Sequence, residues 1–559
     1  MKRRDFLIQG LIASGLYSAH LGAAPEKEQA GRPQNSGLQF IDITSPAGIH
    51  FQHTNAATGR KYLVETMGPG CAFFDYDNDG YLDLYFVNGG LLPGFHATSR
   101  PGNVLYRNNR DGTFTDVTRQ AGVEGYGYGM GVTVGDYNND GFADLFITCY
   151  GSSILYRNNG DGTFTDVTQT AGVNNRKWGT SAAFFDYDKD GFLDLFVANY
   201  VDFSLDHNTF CGIQPDRRAY CHPDEFDPAA SVLYHNNGDG TFTDVSKQSG
   251  IASAKGKGLG VVAADFDGDG YQDLFVANDA FPNFLFMNNR DGTFRETGTL
   301  AGVAYNSNGQ ALSGMGVAAG DYDGDGKLDL VVTNLSFQGY SLYQNEGRGV
   351  FGDVAFPSGV GLPSLLRTGW GVGLGDFDNS GNLDIFAVNG HVMDNIAAFS
   401  PSITYLEPPL LLENEGGRFI DETRSCGRVL QTPRASRGAA FGDFNNDGHV
   451  DILIANCNQA ASLLRNDSGD ENHWIILKAT GRRSNRDAIG TKVRLTANGK
   501  TQTREITGGG SYLSSSDYRL HFGLGKAERI ERLEVDWPRG GTQVLEGLKV
   551  DRMHHLVEP

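Results

Sequence analysis

The chain has 559 residues, of which 39% are hydrophobic and 11% aromatic, and a formal net charge of −21 at pH 7. That much apolar content can fill a packed core, which excludes a disordered chain, and the acidic balance argues against nucleic acid as a partner. Glycine is abundant, at 76 residues, and Asp-Gly pairs recur, favouring short strands and tight turns over helices.

The first 24 residues, ending in small side chains at Ala23 and Ala24, join a basic head to a modest apolar run, as a cleaved export signal does. Arg3-Arg4 followed by Phe6-Leu7 resembles the twin-arginine type, a route for already folded bacterial proteins, with a general secretory signal as the alternative. Either reading implies a periplasmic or secreted protein. No later apolar run reaches the roughly twenty residues of a spanning helix.

At 75–84 stands "DYDNDGYLDL", which resembles the D-x-[DN]-x-[DN]-G opening of an EF-hand loop. It lacks the glutamate at position twelve of an EF-hand and runs directly into strand patterning. The motif returns from Asp136, Asp186, Asp265, Asp321, Asp376 and Asp443, at spacings of 61, 50, 79, 56, 55 and 67 residues. Seven phased copies are a repeat, not a run of incidental turns.

Positions one, three, five and nine of each loop supply side-chain oxygens, and position seven supplies a carbonyl. Hard oxygen donors without sulfur or imidazole suit Ca²⁺. The expected ligands are Asp75, Asp77, Asp79, the Tyr81 carbonyl and Asp83; Asp136, Asn138, Asp140 and Asp144; and Asp186, Asp188, Asp190 and Asp194. They continue as Asp265, Asp267, Asp269 and Asp273; Asp321, Asp323, Asp325 and Asp329; Asp376, Asp378 and Asp384; and Asp443, Asn445, Asp447 and Asp451. Up to seven ions are expected, the sixth held most weakly because Ser380 takes position five.

A second element, "LYRNNRDGTFTDVTRQAGV" at 105–123, recurs at 155–173 and 233–251 and more weakly at 285–303, 342–360 and 411–428. It reads as a hairpin, so each unit is strand A, acidic loop, strand B, connection, strand C, turn, strand D. Four strands per unit at this period predict an all-β, seven-bladed propeller. The seventh unit lacks its last strand, and "FIDITSPAGI" at 40–49 matches it, so the N-terminal segment is expected to close the last blade. The propeller is placed at 25–471 and a small β-domain at 472–559.

Cys211 and Cys221, ten residues apart in an irregular stretch, are paired as a disulfide, while Cys71, Cys149 and Cys457 read as buried side chains and Cys426 stays ambiguous. Thirteen residues after each first aspartate stand Asn88, Cys149, Asn199, Asn278, Asn334, Asn389 and Asn456, read either as turn residues bonding the backbone or as a polar ring. The face opposite the acidic loops carries the insertions 89–103, 200–231 and 390–409, and there His53, Lys61, Glu65, Trp178, Trp370 and His391 are the candidate ligand-binding residues. Catalytic residues are not identifiable: no G-x-S-x-G, H-E-x-x-H or phosphate-binding glycine loop occurs. Residues 472–559 hold 15 Lys/Arg against 10 Asp/Glu, and their cluster Arg482, Arg483, Arg486, Lys492 and Arg494 reads as a solvated strand face.

The repeats resemble the FG-GAP, or VCBS-type, repeats of integrin α-subunit propellers. The tail, "NRDAIGTKVRL…GGGSYLSSSDYRLHFGLG…IERLEVDWPRGGTQ", resembles the ASPIC/UnbV domain. Together they resemble bacterial relatives of the cartilage acidic protein family. A calcium-binding propeller acting as a binding or adhesion-type module for a glycan, protein or envelope ligand is the function this supports, with an enzyme (lyase, hydrolase or cyclase) as the alternative.

Overall fold

The computed structural model describes residues 37–97, 99–214, 217–469 and 471–559, so the export signal expected at 1–24 lies outside the described residues. The fold is all-β and propeller-like, built mainly from four-stranded antiparallel sheets. The first sheet runs Cys71–Phe74, Asp83–Phe86, Val104–Asn108 and Phe114–Asp116, with the acidic loop between its first two strands. Six further sheets of this plan have innermost strands Tyr128–Gly135, Gly179–Phe185, Gly258–Ala264, Val317–Gly320, Gly369–Gly375 and Ser436–Gly442. In the last of these the outer strand is Phe40–Asp42, paired antiparallel with Ser462–Asn466.

Burial explains the strand compositions. Second strands such as Asp273–Asn278 are buried at every residue because neighbouring sheets cover both faces, so they read as continuous apolar runs. Outer strands such as Phe164–Asp166 bury only their phenylalanine and keep the alternation of an edge facing solvent. Each innermost strand lies against that of the next sheet, and Cys71–Phe74 lies against Ser436–Gly442.

An asparagine at the end of each third strand ties neighbouring sheets together. Asn158 Nδ2 donates to the Ala143 carbonyl of its own sheet and to Tyr76 of the preceding acidic loop. The same double bond recurs at Asn236, Asn288, Asn345, Asn414 and Asn466. Asn108 completes the series by reaching Leu82 and, across 336 residues of sequence, Phe444.

The C-terminal region adds a four-stranded sheet (Lys500–Glu505, Lys492–Ala497, Arg532–Asp536, Thr542–Leu545) and a three-stranded one in which His473–Thr480 runs parallel to Arg552–Val557. It is continuous with the rest of the protein: Ile475, Val493, Phe522 and Trp537 share one apolar core with Phe184 and Val261. Its glycine-serine stretch, residues 508–517, bonds to the innermost strand of every one of the seven sheets. Gly508–Gly509 pairs with Gly258–Ala264, Cys71 N donates to Ser514 Oγ and Val132 N to the Leu513 carbonyl, and Leu513 N donates to Ser181 Oγ. Val317 N donates to the Ser511 carbonyl, Val372 N to Ser511 Oγ, and Ser511 Oγ to the Ala439 carbonyl. The protein's own tail therefore enters the space between the inner strands, leaving a cavity beside it lined by Val262, Ala319, Leu374, Phe441, Arg504 and Ser511.

Candidate metal sites and the opposite rim

The seven acidic loops share one local geometry. The glycine at position six takes a positive φ, 90° at Gly80, and its N–H donates to the first aspartate, as from Gly80 to Asp75 Oδ2 at 3.0 Å. The ninth-position aspartate is buried and accepts two backbone N–H bonds: Asp83 from Tyr76 at 3.1 Å and from Asn108 at 2.8 Å. Asp144, Asp194, Asp273, Asp329, Asp384 and Asp451 repeat this arrangement. Position nine thus fastens loop to sheet as well as facing the other carboxylates.

The carboxylates sit where a cation is wanted. Asp75, Asp77 and Asp83 bring ligand oxygens within 4.8 Å of one another, as do Asp186/Asp188/Asp190, Asp265/Asp267/Asp269 and Asp321/Asp323/Asp325. Buried oxygens without a hydrogen-bond partner remain on Asp77, Asp186, Asp321 and Asp376. Burial, with neighbouring carboxylates, pushes Asp186 up to about 8, and burial of Asp83, Asp144, Asp273, Asp384 and Asp451 drives them well above the usual carboxylate range. An all-oxygen donor set of this kind fits a hard divalent cation.

The tail domain sits against this rim, which corrects the solvated-face reading for Lys492. Lys492 is 3.2 Å from Asp265 and 3.8 Å from Glu505, Lys478 is 3.5 Å from Asp75, and Arg519 donates to the Asp443 carbonyl. Arg494 pairs within the tail, with Glu534 and Asp536. Of the five cluster residues, Arg482 and Arg483 are exposed.

On the other side of the sheets, the asparagines thirteen residues after each first aspartate bond the backbone of the connection that follows, as Asn199 does to Ala230 and Asn389 to Pro408, or of a neighbouring segment, as Asn88 does to Gln52. They do not form a free polar ring. Of the candidate ligand-binding residues, His53, Glu65, Trp178, Trp370 and His391 are buried and Lys61 is partly exposed. Among them lies Arg437, fully buried, whose guanidinium donates to the carbonyls of Thr66, Gly390, Ser436 and His391 and lies 4.1 Å from the Trp370 ring. Burial, with this cation nearby, lowers His53 to about 3 and His391 to about 4, so both imidazoles are neutral.

Five of the six candidates gather around this buried centre or its cover. Tyr512, at the tip of the inserted tail, packs on Trp370 at 4.8 Å and donates to the Met67 carbonyl. Above it Glu65 accepts from Tyr220 at 2.9 Å and from Thr58 N. Lys61 pairs with Asp394 and lies 4.8 Å from the Tyr220 ring. Trp178 is the exception, packed in an aromatic group with Tyr150, Tyr200 and Phe203. Cys211 and Cys221 form a disulfide in the 200–231 insertion that brings Tyr220 here, and Cys71, Cys149, Cys426 and Cys457 are buried thiols.

The residues that shape the centre escaped sequence reading, though a signal existed. Five residues before each first aspartate stand Gly70, Gly131, Ser181, Gly260, Gly316, Gly371 and Gly438. A Cβ at Gly70 would lie 1.8 Å from the Leu513 carbonyl oxygen, and one at Gly438 2.5 Å from Ser514 Oγ. Ser181, the exception, is the one that bonds the inserted loop through its side chain.

The human and mouse cartilage acidic protein 1 are 33% and 32% identical over 323 and 341 residues, 56% and 60% of this chain. The chain spans about half the length of these relatives, 46% and 49%. A solved Agrocybe aegerita lectin specific for non-reducing terminal N-acetylglucosamine aligns over 70% of this chain and 87% of its own at 16% identity, with a TM-score of 0.39. The FG-GAP-like repeat model matches residues 75–147, 136–197, 226–276, 265–332 and 321–387, more than half of the chain, and the ASPIC and UnbV model matches 481–559. The chain belongs to the FG-GAP-like repeat family and ends in an ASPIC and UnbV domain.

Proposed function

We propose that this protein is an exported, calcium-stabilised propeller of seven blades, closed by Phe40–Asp42, that binds a glycan, protein or envelope component at the rim opposite its acidic loops. Export rests on the Arg3-Arg4-x-Phe6-Leu7 pattern. Seven sheets of one plan, with an asparagine latch running through all of them, support the blade count. Bound Ca²⁺ would supply the charge that the facing carboxylates lack. Asp75, Asp186, Asp265 and Asp321 head the strongest cation sites and Asp376 the weakest.

The observation that carries the ligand rim is the polar group left at its surface. Lys61 is held in left-handed backbone at φ 50° between Asp394 and the Tyr220 ring, above a floor stiffened by Arg437. Rigid charged and aromatic groups side by side suit a polar ligand with an apolar face, such as a sugar ring. The neighbouring Lys61–Asp394 and Glu65–Tyr220 pairs also favour the second reading, an enzyme working by proton transfer at the same rim.

A screen of envelope glycans and proteins against calcium-loaded protein tests both. Saturable binding that Lys61→Ala weakens at least tenfold, with unchanged melting, is the expected result. Chemical conversion of a bound glycan assigns the rim to catalysis. Melting in excess chelator should fall markedly, since Ca²⁺ binds only the folded loops; an unchanged curve refutes the calcium reading.

A further inference from the structure

The third acidic loop receives an imidazole from its third strand, as none of the other six does; the seventh carries one within the loop itself, His449, whose Nδ1 is 3.4 Å from Asp447 Oδ1. At the residue preceding the latch asparagine, the third strands carry Arg107, Arg157, Met287, Gln344, Glu413 and Arg465, but the third sheet carries His235. In the fifth sheet Gln344 reaches position three of its loop, donating to Asp323 Oδ2 at 2.6 Å, so this strand position faces the loop. His235 does the same with an imidazole. Its Nδ1 is 3.2 Å from Asp194 Oδ1, 3.5 Å from Asp188 Oδ2 and 3.4 Å from the Tyr187 hydroxyl.

These separations match the edges of a coordination polyhedron. A cation held about 2.1 Å from each donor spaces adjacent donors by roughly 3.0 Å in an octahedron and roughly 3.4 Å in a tetrahedron. Asp188, Asp194 and His235 form one group of mutually close ligand atoms, and Asp188 also belongs to the group Asp186/Asp188/Asp190. A second observation points to a ligand: Asp186 is 3% exposed and its Oδ1 has no hydrogen-bond partner. One imidazole among carboxylates is a borderline donor set. Zn²⁺, Mn²⁺ and their first-row neighbours accept it readily, whereas Ca²⁺ prefers oxygen alone.

We propose that the third loop, through His235 with Asp186, Asp188 and Asp194, is a mixed nitrogen–oxygen site that holds a first-row divalent metal in preference to Ca²⁺. The proposal rests on reading the acidic loops as cation sites. In the test, full-length protein is stripped with chelator, given one equivalent of Zn²⁺, dialysed against excess Ca²⁺ and assayed for both metals. Parallel samples take Co²⁺, whose visible spectrum reports nitrogen ligation. His235→Gln places here the residue that the fifth sheet carries naturally, where its amide reaches position three of the loop, so the fold is kept.

The expected result is one Zn²⁺ retained per wild-type chain, a Co²⁺ spectrum with an imidazole contribution, and at least tenfold weaker Zn²⁺ retention in His235→Gln with Ca²⁺ content unchanged at the other loops. Loss of Zn²⁺ from wild type under Ca²⁺, or equal retention by His235→Gln, overturns the proposal. The Ca²⁺ content of the same wild-type sample separates the two failures: calcium bound without zinc refutes the mixed site alone, and neither metal bound refutes the calcium reading as well.

Discussion

Replacing Tyr512 tests whether the inserted tail holds the sheets together. Its side chain is fully buried, its ring centroid is 4.8 Å from that of Trp370, and its hydroxyl donates to the Met67 carbonyl at 3.0 Å. Tyr512→Phe removes only that bond, at a cost of about 1 kcal/mol. Tyr512→Ala also removes a ring from a packed centre with no room to collapse, because Arg437 and Trp370 are themselves pinned by backbone carbonyls. Core aromatic truncations cost about 3–5 kcal/mol, and the abandoned carbonyl adds about 1 kcal/mol. Urea unfolding of the calcium-loaded full chain, followed by tryptophan fluorescence with Trp370 as neighbouring reporter, measures both variants. Amide exchange at Val132 and Val317, which donate to the Leu513 and Ser511 carbonyls, should accelerate in Tyr512→Ala. A Tyr512→Ala protein within about 1 kcal/mol of wild type would show that the insertion fills space without supporting the sheets.

Two further outcomes follow from buried polar groups. Asn108→Ala strands the Leu82 and Phe444 carbonyls together and should cost about 2–4 kcal/mol in the same urea assay, and a loss under about 0.5 kcal/mol would contradict the latch between the first and last sheets. Glu407, buried with Oε1 unpartnered and Oε2 accepting from Thr368 N, has its carboxyl pushed up to about 7 by burial. The protonated form is favoured by folding, so stability contributed by this group is present below pH 4.5 and lost as pH rises through 7, by up to roughly 3 kcal/mol. Glu407→Gln should match wild type near pH 4.5 and exceed it at pH 8; equal stability at both values would show that the carboxyl is not desolvated as described.

The features decided by short-range patterning were legible in the sequence. The D-x-D-x-D-G spacing dictates a loop with glycine at positive φ and oxygens turned inward, and this needs only nine consecutive residues. The phased repeats, the hairpins and the match of 40–49 to a missing strand are likewise statements about local pattern, and Phe40–Asp42 does pair with Ser462–Asn466. The tail's insertion was not legible, because Leu513 meets Gly70 and Gly131, 443 and 382 residues away in sequence, and carries no periodicity linking it to them. The burial of the candidate polar residues was illegible for the same reason. His53, Glu65 and His391 look like surface groups one at a time, since burial is settled by what else packs there: Arg437, Tyr220 and Tyr512 come from three distant segments. Sequence by itself determined the repeat and the chemistry of its loops. Only the tertiary structure decided which polar groups face solvent, because desolvation is a property of the assembled surfaces and not of any residue's neighbours in the chain.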